Sequence, residues 1–270
     1  MLNLTYSIFY HKNEWYELLD YITICHQNST FKNDFFIKLS NLRGPHIEFT
    51  IRVDEEDKIE SSNYYSNCFT KFLIEKPSSN LNLISNSELL FKDFSNNTIY
   101  YGIHDYFLLN DVYNLSVHNR ISEIILLIFK EYKEKTISSM TEIMIQIFVV
   151  WGQALNKNIT DLIIIIDSLI KDKRLTFTDK SIKRQKKNGI ENYYENEEIL
   201  FSYFNESLIQ NSNLPIDGWG KMIYDLTQES TNKKNNIERK IIDLICENIN
   251  YESISAHVIF LTGLKKINKL

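Results

Sequence analysis

The segment from His46 to Val53 constrains the fold most, because it alternates apolar and polar side chains without a break after a Gly44-Pro45 turn. Successive side chains of a β-strand point to opposite faces of a sheet, so this alternation predicts a half-buried strand. The face expected in the core carries Ile47, Phe49, Ile51 and Val53. The opposite face carries His46, Glu48, Thr50 and Arg52. The sequence therefore predicts a row of ionisable and polar groups along one sheet surface.

The rest of the chain divides into a strand-rich beginning and a helix-rich remainder. Strands are predicted over Leu4–Tyr10, Asp34–Leu39 and Thr98–Ile103, and helices over Lys12–Cys25, Asn63–Glu75, 105–114, 118–133, 138–155, 159–171, 195–211, 218–228, 236–248 and 252–266. The polar, basic stretch from Arg174 to Asn196 contains Gly189 and predicts a loop, as does 77–86. We expect an α+β fold with a small, mainly antiparallel N-terminal sheet, in one domain that is strand-rich over 1–103 and helix-rich over 104–270.

Composition excludes several functional classes. Of the 270 residues, 43% are hydrophobic and 24% charged, so the chain can bury a core. A net charge of −5 disfavours sequence-independent nucleic-acid binding. Three cysteines spread along the sequence predict a reduced, cytoplasmic protein with neither a disulfide framework nor a zinc site. We find no signal peptide, membrane-spanning segment or cofactor motif, and expect no membrane partner.

The polar row on the predicted strand and a C-terminal histidine are the two candidate sources of chemistry. An imidazole, a carboxylate and a cation in one row could bind a peptide backbone or move protons. The alternative is a solvated sheet face with cross-strand ion pairs. His257 lies in an otherwise apolar segment, where it is either a proton carrier or a hydrogen-bonded core residue.

Several segments resemble the C-terminal, thiopeptide-type domain of lantibiotic dehydratases. The similar segments are Phe35-Phe36-Ile37-Lys38-Leu39, Gly44-Pro45, His46-Ile47-Glu48-Phe49-Thr50, Tyr100-Tyr101-Gly102, Ser116 and Ser253 to Leu264, which includes His257. Their order and spacing agree with the family across nearly the whole chain. In full-length members this domain eliminates glutamate from glutamylated Ser or Thr, and arginines on the strand after the Pro-containing turn are thought to bind that glutamate.

The chain departs from this pattern at the arginine positions. Glu48 and Thr50 stand where the strand arginines are expected, and Tyr100 stands where a further arginine is common. A carboxylate repels a glutamyl carboxylate at close range, so glutamate elimination is disfavoured. Arg52 is the remaining arginine on the same predicted face.

The resemblance therefore implies the stand-alone branch of the family, the pyridine synthases. These enzymes join two dehydroalanines of a ribosomal precursor peptide in a formal [4+2] cycloaddition, and then lose water and the leader peptide. For this chain the implied catalytic residues are His257, His46 and Tyr101, and the implied substrate-binding residues are Glu48, Thr50, Arg52 and Trp219. The expected partners are the precursor peptide and other biosynthetic enzymes.

Two alternative functions and two candidate peptide-contact segments stay open. The chain could be a split glutamate-elimination subunit that uses Arg52, or a peptide-binding protein without catalytic activity. The acidic, aromatic segment from Tyr193 to Glu198 could contact the leader or form a solvated helix start. Trp219, in the segment from Pro215 to Gly220, could contact the leader or anchor a loop by packing.

Overall fold

The computed structural model of the chain describes residues 2–31, 34–41, 43–79, 93–104, 112–132, 140–172, 179–210, 218–231, 237–249 and 254–269. Most of the predicted loop over 77–86 and of the predicted helix over 105–114 lies outside these residues, as do Ser253 and Pro215–Asp217. Within the described ranges, no helix is both long and apolar enough to cross a membrane.

Four strands of the N-terminal half form one antiparallel sheet, in the order β2-β3-β1-β4. They are β1 (Leu2–Phe9), β2 (Phe35–Ser40), β3 (His46–Val53) and β4 (Thr98–His104). The bounds of β3 are those predicted, and the expected α+β class with a small N-terminal sheet is confirmed. Because β1 is central, Ser7 faces Glu48 of β3 on one side and Tyr100 of β4 on the other.

One face of the sheet is buried under aromatic side chains. The described helices of this half are α1 (Trp15–Asn28), which follows a short 3₁₀ turn, α2 (Lys58–Glu75) and α3 (Val112–Tyr132). Phe49 of β3 is fully buried, and its ring centroid lies 5.4 Å from that of Tyr65 and 5.5 Å from that of Phe69, both on α2. Tyr6 of β1 lies 5.3 Å from Phe69 in an edge-on contact. These aromatic contacts fix α2 across the apolar sheet face.

Helix α3 covers the edge of the sheet at β2. The Ile37 amide donates to Ser122 Oγ at 2.9 Å, and the Phe35 amide donates to Asn119 Oδ1 at 3.2 Å. An uncovered edge strand presents unpaired amides on which other chains can pair. Asn119 and Ser122 of α3 therefore accept hydrogen bonds that a further strand would otherwise accept at this edge.

The second half of the described chain is helical. Its elements are α4 (Met140–Leu155), α5 (Ile159–Asp172), α6 (Asp179–Glu195), α7 (Glu197–Asn205), a π-helical turn (Glu206–Gln210), α8 (Gly218–Thr231), α9 (Ile237–Asn248) and α10 (Ser255–Ile267). Helix α10 is buried along most of its length and packs against α4, α5, α6 and α7. It is the centre of the helical core.

The loop predicted over Arg174–Asn196 is wrong over residues 179–195, which form α6, and its part over 174–178 lies outside the described residues. Gly189, which favoured a loop in the sequence, lies where α6 approaches α10 closely. A Cβ added to it would lie 2.9 Å from the Ser255 carbonyl oxygen and 2.9 Å from Val258 Cβ. The buried positions of α6 are Ile182, Gly189 and Tyr193, so a glycine occupies the middle of a helical stripe and hides its apolar periodicity.

Helix α2 begins at Lys58, five residues before the predicted start at Asn63. Its first turn is Lys58-Ile59-Glu60-Ser61, in which the apolar residue, Ile59, is exposed, and the Ser61 amide donates to the Asp57 carbonyl at 2.9 Å. This turn adds no buried apolar residue to the helical stripe, so the apolar pattern misses it. Acidic residues such as Glu60 are nevertheless favourable there, because the N-terminal end of the helix dipole is positive.

The contacts group the chain into two compact units. The sheet unit comprises Met1–Thr136 and Glu247–Asn250, and the helical unit comprises Ile137–Cys246 and Tyr251–Leu270. The single-domain interpretation stays a prediction.

Candidate functional site

The polar face of β3 is the centre of a broader polar sheet surface. His46, Glu48, Thr50 and Arg52 lie together on the sheet side opposite the aromatic core. The pairing registers add cross-strand neighbours from every other strand. They include Thr5 and Ser7 of β1, Lys38 of β2 and Tyr100 of β4. We call these eight residues the polar sheet face.

His46 and Glu48 form a hydrogen-bonded pair on this face. His46 Nδ1 lies 2.9 Å from the Gly44 carbonyl oxygen, and His46 Nε2 lies 3.3 Å from Glu48 Oε1. A carbonyl only accepts, which assigns a proton to Nδ1. The other ring nitrogen, Nε2, lies within hydrogen-bond distance of the Glu48 carboxyl group, so the two groups can share a proton. The His46 ring is buried and the Glu48 side chain is 33% exposed, so Glu48 is the member of the pair that a ligand can reach.

The turn that orients His46 is fixed by its backbone. Gly44 has a φ of 113°, in the region that favours glycine, and its amide donates to the Asn41 carbonyl at 3.2 Å. The amide of Phe94 donates to the Arg43 carbonyl at 2.8 Å, which ties the turn to the segment before β4. The Gly44 carbonyl that binds His46 therefore belongs to a turn held by two backbone hydrogen bonds.

The other end of the row carries a cation that already has a carboxylate partner. Arg52 Nη1 lies 3.9 Å from Asp34 Oδ2. Thr50 Oγ1 lies 2.9 Å from Thr5 Oγ1 on the neighbouring strand. The charge of Arg52 is thus partly balanced within the protein.

Aromatic rings border the polar sheet face next to His46. The Phe9 ring stacks on His46 with centroids 4.5 Å apart, and Phe94 lies 3.9 Å from Tyr100. The Arg43 guanidinium carbon lies 3.8 Å from the centroid of the Phe94 ring, in a cation–π contact. Phe9 is buried and Tyr100 is exposed, so Tyr100 is the ring of this border that offers a surface near the His46–Glu48 pair.

Tyr101 lies on the opposite side of the sheet from the other predicted residues of this unit. It pairs with Tyr6 of the aromatic core, whereas Tyr100 pairs with Ser7 of the polar sheet face. The Tyr101 ring contacts Tyr6 edge-on at 5.7 Å. The structure therefore brings His46, Glu48, Thr50 and Arg52 together, and separates Tyr101 from them by the thickness of the sheet.

His257 and Trp219 belong to the helical unit. His257 lies on α10, is fully buried, and meets the edge of Phe148 with ring centroids 4.6 Å apart. Trp219 is the second residue of α8 and its side chain is also buried. In the segment from Tyr193 to Glu198, Tyr193 is buried at the end of α6 and Tyr194 is exposed.

Sequence reasoning missed the contributions of β1, β2 and β4 to the polar sheet face. Thr5, Ser7, Lys38 and Tyr100 are assigned to it by strand pairing, which the sequence does not give. In β1, Thr5 and Ser7 alternate with Leu4, Tyr6 and Ile8. This alternation indicates that Thr5 and Ser7 lie on the side of the sheet opposite the apolar core. Within the described residues, no group of three or more His, Cys, Asp or Glu side chains is placed to hold a metal ion.

Comparisons with known proteins show the fold. No protein-family model matches the sequence, and no curated protein matches it. Among solved structures, the chain is similar to the pyridine synthase TbtD from thiomuracin biosynthesis, with a TM-score of 0.75 and 12% sequence identity. The similarity covers 100% of this chain and 99% of that one. The chain therefore shares the fold of a pyridine synthase over its whole length.

Proposed function

We propose that the protein is a pyridine synthase of thiopeptide type. It would join two dehydroalanines of a ribosomal precursor peptide by a formal [4+2] cycloaddition and release water and the leader peptide. The observation that carries the proposal is the His46–Glu48 pair, on the polar face of a sheet within a fold shared with a pyridine synthase.

The polar sheet face supports the binding of an extended peptide. Glu48 and Tyr100 lie two strands apart, with Ser7 between them, which corresponds to about 10 Å across the sheet. A peptide held across this span would have its two alkenes brought together by contacts at both ends. Such positioning lowers a barrier by up to about 7–11 kcal/mol when the reacting atoms are well aligned.

The His46–Glu48 pair supplies acid–base chemistry for the loss of water and of the leader amide. The Glu48 side chain is exposed enough to contact the substrate. The buried His46 ring can share a proton with the Glu48 carboxyl group. The Gly44 carbonyl fixes the ring and its tautomer. A positioned acid–base group contributes about 10²–10⁴-fold in rate.

We assign the hydroxyl donor on this face to Tyr100 rather than Tyr101, because Tyr100 shares the face of Glu48. His257 stays a candidate proton carrier, and Trp219 a candidate peptide contact. Thr50 and Arg52 would orient the peptide beside Glu48.

Glutamate elimination is less well supported. It requires cationic groups for a glutamyl carboxylate, yet Glu48 lies in the middle of the row. The two cations of the polar sheet face already have carboxylate partners, since Lys38 lies 3.2 Å from Glu247 and Arg52 lies 3.9 Å from Asp34. An arginine whose charge is balanced by a neighbouring carboxylate binds a second carboxylate more weakly.

The test is a mass-spectrometric assay of the purified protein with a peptide that carries azoles and two dehydroalanines. A macrocycle and a free leader amide are expected. Loss of glutamate from a glutamylated peptide would instead establish the elimination function, and peptide binding without any mass change would establish a binding protein.

Variants of the carboxyl groups test the assigned chemistry. Glu48→Gln keeps the shape of the side chain but cannot carry the shared proton, so turnover should fall by about 10²–10⁴-fold. The matched control is Glu75→Gln, the same change on α2, at a carboxylate 58% exposed and paired with Lys71. Equal turnover of the two variants would remove Glu48 from the mechanism.

A further inference from the structure

The two edge strands of the sheet, β2 and β4, differ in what their outer edges contact. At β2 the amides of Phe35 and Ile37 are bonded by side chains of α3. At β4, the last strand in the order, no strand among the described residues pairs with the outer edge. The side chains of Tyr100 and Tyr101 are 43% and 58% exposed there, on opposite faces of the same strand. This edge has the backbone geometry to accept an added strand.

A pocket lies beside this edge, on the side of Tyr101. It has a volume of about 250 Å³ and lies between α2 and the strands β1 and β4. Its walls include Leu4, Tyr6, Ile59, Asn63 and Tyr101. The side chain of Ile59 is 74% exposed at this position. A strand added to β4 would direct alternate side chains towards this pocket.

The charge next to the pocket is strongly acidic. Asp54, Glu55, Glu56, Asp57 and Glu60 are all exposed in the loop before α2 and in its first turn. Lys58 is the cation within this run and lines the pocket itself, whereas the five carboxylates flank it in the sequence. Five carboxylates against one ammonium group attract a basic ligand, and exposed charges act in a salt-dependent way.

From these observations we infer that the outer edge of β4 is a docking site for an extended peptide segment. The segment adds to β4 as a fifth strand, places an apolar side chain in the pocket beside Ile59, and carries a Lys or Arg against the acidic run. Its other side chains lie on the side of Tyr100, which is the side of the polar sheet face. This inference rests on the proposed function, since it assigns the leader segment of the peptide substrate to this edge.

A matched pair of isoleucines tests the pocket. Ile59 and Ile74 lie on the same helix with exposed fractions of 74% and 75%, but Ile59 lines the pocket and Ile74 does not. The probe is a short fluorescent peptide of alternating Thr and Val with a central Leu-Thr-Lys segment, so that Leu and Lys lie on the same side of the strand, and its binding is measured by anisotropy. Ile59→Asn should weaken binding about tenfold, as expected for the loss of one apolar contact, and Ile74→Asn should leave it unchanged. Equal effects of the two variants would overturn the inference.

Backbone methylation of the probe tests strand addition. Only alternate amides of an added strand face the neighbouring strand. N-methylation of one alternate set should abolish binding, whereas methylation of the other set should not. Equal affinity of both methylated peptides would show that no strand is added.

The charges are tested with salt and with an acidic probe. Replacing the central Lys by Glu should weaken binding, and the double variant Glu55→Gln/Glu56→Gln should reduce the salt dependence for the Lys probe. Tighter binding of the acidic probe, or dimerisation of the chain without peptide binding, would overturn the inference. Peptide binding needs no turnover, so inactivity in the cyclisation assay would remove the proposed function and leave the docking result standing.

Discussion

The substitution Gly189→Ala tests the contact between α6 and α10. In an exposed helix this change is favourable by about 1 kcal/mol, because glycine is a poor helix former. Here the added methyl group would lie 2.9 Å from the Ser255 carbonyl oxygen and 2.9 Å from Val258 Cβ. The oxygen belongs to the backbone, so the methyl group cannot be accommodated by a rotamer change.

The expected magnitude follows from these opposing effects. Overpacking costs about 1–3 kcal/mol, and contact with a backbone atom places this site near the upper value. After subtraction of the gain of about 1 kcal/mol in helix propensity, the free energy of unfolding should fall by about 2 kcal/mol. The melting temperature should then fall by about 4–8 °C, measured by circular dichroism.

Gly152 of α4 provides the matched control, because it lies in a helix of the same unit. A Cβ there would meet Leu208, Leu162 and Phe260 at 3.5–3.7 Å, which is ordinary van der Waals contact. Gly152→Ala should therefore be neutral or stabilising by up to about 1 kcal/mol. If Gly189→Ala also stabilised the protein, α6 would not pack against α10 and the structural argument would fail.

Three further predictions concern the sheet unit. Ser122→Ala removes the acceptor of the Ile37 amide and should lower the free energy of unfolding by about 1–3 kcal/mol in urea titrations, and an unchanged midpoint would show that water replaces the serine. Burial lowers the pKa of His26 and of His118, so below pH of about 6.5 the unfolded chain binds more protons than the folded one, and stability should fall as the pH falls. His26→Gln should reduce that slope, and an unaltered slope would exclude His26 as a contributor. Burial raises the pKa of the Cys25 thiol to about 12, so iodoacetamide should modify Cys25 only after denaturation, and rapid labelling of the native protein would contradict its burial.

The sheet could be predicted from sequence where one side of a strand is buried and the other is not. In β3 the apolar residues 47, 49, 51 and 53 are all buried, as the alternation required. The same argument failed for α6, since its buried stripe contains Gly189, and a close helix–helix approach requires the loss of the side chain that would reveal it. The apolar pattern detects contacts made by large side chains, and it misses those made by backbone.

The candidate site was only partly predictable for a related reason. Spacing within one strand placed His46, Glu48, Thr50 and Arg52 on one face. The neighbours of that face depend on strand order and register, which involve pairings between distant parts of the chain. Tyr100 and Tyr101 show the consequence, because a difference of one residue in a strand moves a side chain to the other side of the sheet.

This alternation in β4 links the two proposals physically. Tyr100 belongs to the face that carries the His46–Glu48 pair, and Tyr101 belongs to the face that carries the pocket beside Ile59. A peptide strand added to β4 has the same two-sided alternation, so each contact on the pocket side fixes where the neighbouring residues emerge on the polar side. A shift of the peptide by one residue would exchange its two sets of side chains. The docking edge would thus select the peptide register, and the register would decide which residues approach Glu48.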